Sequence, residues 1–428
     1  MIVDTLPSLR RLLDGLSWWQ KTDYLMLALM SVALVCNWSL ALIVLYAMIV
    51  MSVVRRITQP ADSMCRMASN KYYLWLLVAF AAFYWISLLF STNVTEGVEV
   101  AIKKLPFVLL PLYFFLSDHT YMDRTRLRGL LWVLVVALCV RFEIRLIIAI
   151  VLGIKDHFST SSFFLGNFDP FHHSYLSMYI VLALMFLYTE LKRSYFHLSK
   201  LGRWLMVVAA IELTFYLVMI QSRAGILMFI FMIAYILFDI SILQKHYRMG
   251  LIIMGASLLL GIGCVALFPH QTNRLGNTVK EVAEGNHDDA RFGITETALL
   301  AISDNMPWGV GVGDRIDVMH HYFLLAHPKM EKAHYNPHNQ YNDTLLTIGV
   351  LGLLLLIFML VAPLIYCKRT HYQVKTMIYA LVLIVACSCL FESIFERQMG
   401  ILFFAFYVGL IGCANACGCP ISNRMLKK

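Results

Sequence analysis

Charged side chains are scarce in this chain. Asp, Glu, Lys and Arg make up 14% of 428 residues, against about a quarter in a soluble domain, while 60% of the residues are apolar. A soluble globular domain is thereby excluded. The sequence also lacks internal repeats, low-complexity tracts and the matching halves typical of inverted-repeat transporters. Cysteine is missing from the longest polar stretch, 269–342, so no disulfide staples it; the ten cysteines fall in expected helices or in segments expected inside. Cys417-Gly418-Cys419 has no second pair of ligands and reads as a helix end rich in small residues. No HExxH sequence or carboxylate cluster accompanies the histidines, so no metal site is expected. The first 23 residues are too polar for a cleavable signal, and no small-residue cleavage site follows the first apolar run.

What the chain does have is long apolar runs. About 20 apolar residues cross a bilayer as a helix, and about twelve segments qualify: 24–36, 38–54, 72–90, 104–116, 128–152, 174–188, 204–220, 224–241, 249–268, 343–366, 376–391 and 400–416. The expected fold is an all-α polytopic membrane protein. The apolar run Tyr24–Val54 is too long for one span, and Asn37-Trp38-Ser39 is the expected break. Basic residues cluster in alternate connections, among them Arg55, Arg56, Arg66 and Lys71, then Arg124, Arg126 and Arg128, then Lys192 and Arg193. The positive-inside rule then puts both termini in the cytoplasm and 269–342 outside. The net charge of +9 is this orientation signal and needs no nucleic-acid partner. Three parts are expected: helices one to nine over 1–268, an exported loop at 269–342, and the last three helices with a cytoplasmic tail over 343–428.

Two polar regions lie outside on this reading. The shorter, 153–173, ends in the pair His172 and His173. The longer holds six basic and nine acidic residues and seven of the fourteen histidines, so any anion site there must be built from individual arginines. Asp288-Asp289 suits the N-cap of a helix running to about Asp304, with Phe292, Thr295, Leu299 and Ile302 on one side. Met306-Pro307 stops it, and Gly309-Val310-Gly311-Val312-Gly313-Asp314 makes a tight turn. A second amphipathic stretch from Asp317 to about Lys329 gathers Val318, Tyr322, Leu325 and Met330.

Several residues are placed for chemistry. Arg223, in Gln221-Ser222-Arg223-Ala224-Gly225, occupies a polar hinge between apolar helices, where an unpaired charge is costly. It reads as a guanidinium fork for phosphate or as an interfacial anchor. Arg291, in the first turn of the loop helix, stands against the helix dipole, either for another partner or for an ion pair with Asp288 or Asp289. Arg141 and Arg145 share one side of the fifth span, as a buried structural network with Glu190, Glu212 or a backbone carbonyl, or as phosphate donors. His338, in Asn336-Pro337-His338-Asn339-Gln340-Tyr341, stands at the mouth of an apolar helix that begins near Asp343. If that helix starts at Pro337, the positive dipole end keeps the imidazole neutral, fit to act as a base; the alternative is a polar cap. His334 and His338 could pair on a metal, but Pro337 breaks the helix that would align them.

His338-Asn339, nine residues, then Gly349-Val350-Leu351-Gly352 resembles the His-Asn-x9-Gly-x-x-Gly signature of O-antigen ligases, in a superfamily with O-antigen polymerases and protein O-oligosaccharyltransferases. Arg223 and Arg291, the latter followed by Pro307-Trp308-Gly309-Val310-Gly311, are similar to that family's two essential arginines. The resemblance implies a GT-C-like bundle of about 12 helices with one large periplasmic loop in the bacterial inner membrane. It implies metal- and cofactor-free, inverting transfer of a glycan from undecaprenyl pyrophosphate to a lipid A-core hydroxyl. His338 would be the general base, and Arg223 and Arg291, with Arg141 or Arg145, would hold the pyrophosphate. Asn339 and Tyr341 would orient the ring or the acceptor, and Glu392, Glu396 and Arg397 would line the site. A polymerase, a transferase to another acceptor, or a lipid-linked glycan transporter are the rival readings.

Overall fold

The structure is a computed structural model that describes residues 8–58, 71–155, 171–194, 199–220, 222–248, 250–252, 254–255, 290–326, 336–367 and 370–416. Every described element is a helix: α1 (Leu9–Leu13), α2 (Trp18–Cys36), α3 (Trp38–Thr58), α4 (Tyr72–Ser87), α5 (Val94–Lys103), α6 (Pro106–Leu116), α7 (Arg124–Lys155), α8 (His173–Ser194), α9 (Lys200–Met219), α10 (Arg223–Phe238), α11 (Ala290–Asn305), α12 (Arg315–Ala326), α13 (Gln340–Tyr366), α14 (Tyr372–Cys389) and α15 (Gln398–Ala416). Seven described helices are long and apolar enough to cross a bilayer: Trp38–Thr58, Tyr72–Phe90, His173–Lys192, Lys200–Met219, Ala224–Ile242, Gln340–Tyr366 and Tyr372–Cys389. The chain is a polytopic helical membrane protein. Of the remaining expected spans, 249–268 falls largely outside the described residues. The fifth becomes the 32-residue α7, and 104–116 becomes the shorter α6 behind Pro106.

The break at Asn37 is present. Asn37 has an extended backbone (φ −162°) and ends α2, and its side-chain oxygen accepts from Ser39 N at 2.7 Å, turning the chain directly into α3. The apolar character of α15 has no polar face to relieve it, and such a helix belongs in an interior. Residues 401–414 are buried throughout, with Gly409 against the Phe114 ring and Gly412 against Tyr73. On α13 the residues Leu351, Leu354, Phe358, Val361 and Ile365 form an exposed stripe at three- and four-residue spacing, while Gly352, Leu356, Met359 and Pro363 face the bundle. An exposed apolar stripe on a spanning helix is a lipid contact.

At one end of the bundle, ion pairs tie helices together: buried Arg128 to Glu190, and exposed Lys192 to buried Asp239, with Nζ–Oδ2 at 2.6 Å. Glu190 is thus committed to Arg128. At the opposite end, α11 and α12 pack on the start of α13 around Ile294, Ala298, Ala301, Ile302, Met319, Phe323 and Leu346. The faces differ from those expected: Leu299 and Leu325 are exposed, and Met319 and Phe323 are buried in place of Val318 and Tyr322, which pack at the margin. Small Ala298 and Ala301 make the close approach that bulkier side chains would prevent. Met330 and Asp288-Asp289 lie outside the described residues.

Candidate active site

The site is organised by a discontinuity in α13. Ile348 (φ −125°, ψ 17°) and Gly349 (φ 68°, ψ −165°) leave helical geometry, dividing the helix one-third of the way along. Backbone groups released by such a break must find other partners in apolar surroundings. The turn after α11 supplies them: Val310 N donates to Leu346 O at 2.8 Å, Gly311 N to Thr347 O at 3.0 Å, and Val350 N donates back to Pro307 O at 2.9 Å. A Cβ on Gly349 would lie 2.2 Å from Pro307 O, and one on Gly309 would lie 2.7 Å from Gly349 N. The two glycine motifs, some forty residues apart in the chain, are therefore two halves of one contact.

Nine residues before the break, Asn339 caps α13: its side-chain oxygen accepts from Tyr341 N at 2.9 Å and Asn342 N at 3.1 Å. The helix begins at Gln340, between the two starts considered, Pro337 and about Asp343. An Asn with an extended backbone outcompetes a first-turn Pro here because it satisfies two helix N–H groups at once. His338 lies before the cap, in a left-handed backbone conformation (φ 46°) unusual for a residue with a side chain. Its backbone N donates to Asn336 Oδ1 at 3.0 Å, and its ring Nδ1 lies 3.4 Å from Glu392 Oε2. The feature facing the imidazole is this carboxylate rather than a helix dipole. His338 keeps a third of its side chain exposed and Glu392 a seventh, so the ring is held from one side and open on another.

Asn339 Nδ2 also donates to Leu390 O at 3.2 Å, and Tyr341 Oη to Ala386 O at 3.1 Å, clamping the α13 start to the end of α14. Ser388, in that same end, donates to Met228 Sδ on α10 at 3.2 Å, about one turn beyond Arg223. Arg223 is the first residue of α10, behind Ser222, whose Oγ accepts from Gly225 N at 3.0 Å. Arg291 is the second residue of α11. The side chains of Arg223 and Arg291 lie outside the described residues, as does His334.

Arg141 on α7 donates to Val35 O at 2.7 Å and Cys36 O at 3.2 Å, closing the carbonyl end of α2, and packs 5.0 Å over the Phe171 ring. The backbone carbonyl, one of the alternatives for this residue, is thus among its partners. Arg145 follows one turn later, half-buried, while Glu143 is exposed. Phe171 leads into His172, whose ring stacks on His173 (centroids 4.7 Å) and stands 5.6 Å from Tyr175. Burial pushes the His172 pKa down to about 4; Glu392 opposes this, while His173, Arg397 and His338 add to it. The segment 171–173, the turn bearing Glu392 and Arg397, and His338 thus share one electrostatic neighbourhood.

Behind His338 lies a cluster absent from the sequence reading. Arg315 is buried, with Nη1 2.6 Å from Asp343 Oδ1 and Nη2 2.7 Å from Glu396 Oε1. Burial alone would push the Glu396 carboxyl up, but Arg315 and Lys104 outweigh it and hold the pKa below its usual range. Asn336 Nδ2 donates to the second Glu396 oxygen. An aspartate heading an apolar helix was the available signal, since a buried carboxylate demands a cation. Among the described residues no three His, Cys, Asp or Glu side chains gather to hold a metal ion.

Fold and site together define a membrane protein in which His338, Glu392, Glu396, Arg315 and Asp343 meet at one end of a helical bundle, around a broken helix. Residues 204–357, about a third of the chain, match the family model described as O-antigen ligase. The matched segment carries Arg223, Arg291, His338, Gly349 and Gly352. No curated protein matches the chain.

Proposed function

We propose that this protein is an O-antigen ligase that transfers a glycan from undecaprenyl pyrophosphate to a hydroxyl of lipid A-core at the periplasmic face of the inner membrane. The observation that carries this reading is the His338 ring set against Glu392 at the mouth of the broken helix, inside the segment of the O-antigen ligase family. With Nδ1–H turned toward the carboxylate, Nε2 is left to take the proton of the attacking hydroxyl, and Glu392 stabilises the imidazolium that forms. The hydroxyl oxygen attacks the anomeric carbon as the bond to the pyrophosphate oxygen breaks, inverting the centre. Pyrophosphate leaves as an anion, so Arg223 and Arg291 meet the growing charge in place of a general acid. Arg141, tied to the end of α2, serves this site by supporting the 171–173 segment. In this orientation both termini are cytoplasmic and 269–342 is periplasmic, between helices of 1–268 and 343–428. The expected partners are carrier-linked glycan, lipid A-core and membrane lipids, with neither metal nor nucleic acid.

The test is transfer by purified protein in detergent micelles, with carrier-linked glycan and lipid A-core as substrates. His338→Ala is expected to lose transfer by at least about a hundredfold while keeping its thermal midpoint and donor affinity. Ligation at the wild-type rate by that variant would remove His338 from the chemistry and the reading with it.

A further inference from the structure

The left-handed backbone at His338 must be held by something, and the holding contacts lead away from the reacting atoms. His338 N donates to Asn336 Oδ1 at 3.0 Å, and Asn336 Nδ2 donates to Glu396. Glu396 Oε1 accepts from Arg315 Nη2 at 2.7 Å, and the other arm of that guanidinium reaches Asp343 Oδ1 at 2.6 Å. The short helix Ile394–Glu396 is fixed from two further directions. Phe395 N donates to Gln340 Oε1 at 2.7 Å, and buried Lys104 Nζ donates to Phe395 O. Gln340 in turn donates to Thr344 Oγ1 at 3.0 Å and Asp343 Oδ2 at 3.3 Å.

We infer that Arg315, Glu396 and Asn336 are positioning residues, a buried relay that sets the His338 backbone and the Glu392-bearing turn in register with each other. The inference rests on the reading of His338 as the base. Its logic is one of shared supports. His338 is reached from Glu396 through Asn336, while Glu392 stands four residues before Glu396 on the same turn. One guanidinium therefore fixes the common foundation of both members of the His338–Glu392 pair. None of the three hydrogen-bonds the imidazole ring, whose polar contact is Glu392, so each acts through the residues it holds. Arg315 also opens α12, and its neighbour Asp314 accepts from Thr92 N, Thr92 Oγ1 and Asn93 N, all at 2.8 Å. The α12 start is thus anchored on both sides, and the relay reports its placement to the site.

Asn336 is the residue to test, because removing it cuts the relay and leaves the Arg315–Asp343–Glu396 ion pairs in place. Asn336→Ala should lower kcat about ten- to a hundredfold, the order expected for a misplacement near 1 Å, with the donor KM and the thermal midpoint close to wild type. The acid limb of its pH–rate profile should also move, since the His338–Glu392 contact loosens; a purely structural role would leave that limb unmoved. Reciprocal exchange supplies the rescue. Asn336→Asp alone sets two carboxylates together and should be impaired to a similar degree. Asn336→Asp with Glu396→Gln restores a donor opposite an acceptor at unchanged net charge, and should recover to within about threefold of wild type. A wild-type kcat in Asn336→Ala, or a double variant no better than Asn336→Asp, overturns the inference. His338→Ala run alongside separates the failures. If it is inactive while the Asn336 variants behave as wild type, only the relay falls; if it is active, the catalytic reading falls too.

Discussion

Placing a methyl group on Gly349 probes the contact on which the architecture of the site turns. Its conformation (φ 68°, ψ −165°) is essentially reserved for glycine and costs another residue about 1–3 kcal/mol. The steric term compounds this. The new Cβ would lie 2.2 Å from Pro307 O and 2.5 Å from Trp308 C, both backbone atoms that cannot rotate aside. Relief requires the turn to withdraw from α13, sacrificing up to three hydrogen bonds at 2.8–3.0 Å. Each contributes about 0.5–1.5 kcal/mol, so Gly349→Ala should destabilise the protein by roughly 3–5 kcal/mol. Gly352→Ala is the control, for the atoms nearest its new Cβ belong to the Ile348 side chain, whose γ and δ carbons can rotate aside. The assay is thermal unfolding in detergent together with glycosyl transfer. Gly349→Ala should lower the midpoint and activity well beyond Gly352→Ala. Equal midpoints for the two, or an unaltered Gly349→Ala enzyme, would mean that the loop does not hold the broken helix.

Arg141→Ala should cost about 2–3 kcal/mol of stability by removing two charge-assisted bonds to the α2 carbonyls, with donor affinity retained; a large loss of donor affinity at unchanged stability would make Arg141 a pyrophosphate ligand instead. Arg223→Lys should weaken donor binding about tenfold or more, because a point charge cannot reproduce a bidentate fork, and undiminished affinity in a binding titration would take Arg223 out of the site. For Asp314, burial raises the pKa, but the N–H groups of Thr92 and Asn93 outweigh it and hold the carboxyl below its ordinary 3.8. The folded state therefore binds fewer protons, so this contribution is complete above the ordinary value and is lost as pH falls through the lowered one. Asp314→Asn should accordingly lower the thermal midpoint at neutral pH and narrow its gap to wild type on acidification below 3.8; a gap that widens with acid would reverse the assignment.

The bilayer made much of this fold legible, because it demands long apolar segments whatever their periodicity. Asn37 was readable as a break for the same reason: a run from Tyr24 to Val54 exceeds one crossing, and Asn is a natural place to leave a helix. Reading bulk as burial misplaced the loop helices. In α11 the close contact is made by Ala298 and Ala301, while Leu299 remains exposed. At His338 the weight given to Pro337 as a first-turn residue hid the stronger capping power of Asn339. The Arg315 cluster was legible only in part, through Asp343 at the head of an apolar helix and Glu396 among the site-lining residues. Its partners come from α13 (Asp343) and from the short helix that follows α14 (Glu396), and no spacing rule joins charges that only the fold brings together.

That buried cluster also bears on where the pyrophosphate charge is met. Arg315 stands between two carboxylates, Asp343 and Glu396, so its guanidinium is compensated where it lies. Burying a guanidinium is tolerable only with such compensation, and both Nη groups of Arg315 are already committed at 2.6 and 2.7 Å. Turning it toward a phosphate would strand Asp343 as an uncompensated carboxylate in the interior. An anion at this end of the bundle must therefore draw on arginines outside the cluster. Arg223, Arg291, Arg145 and the exposed Arg397 are candidates, with Arg141 if its contacts to α2 give way, and Arg315 enters the chemistry only through what it holds in place.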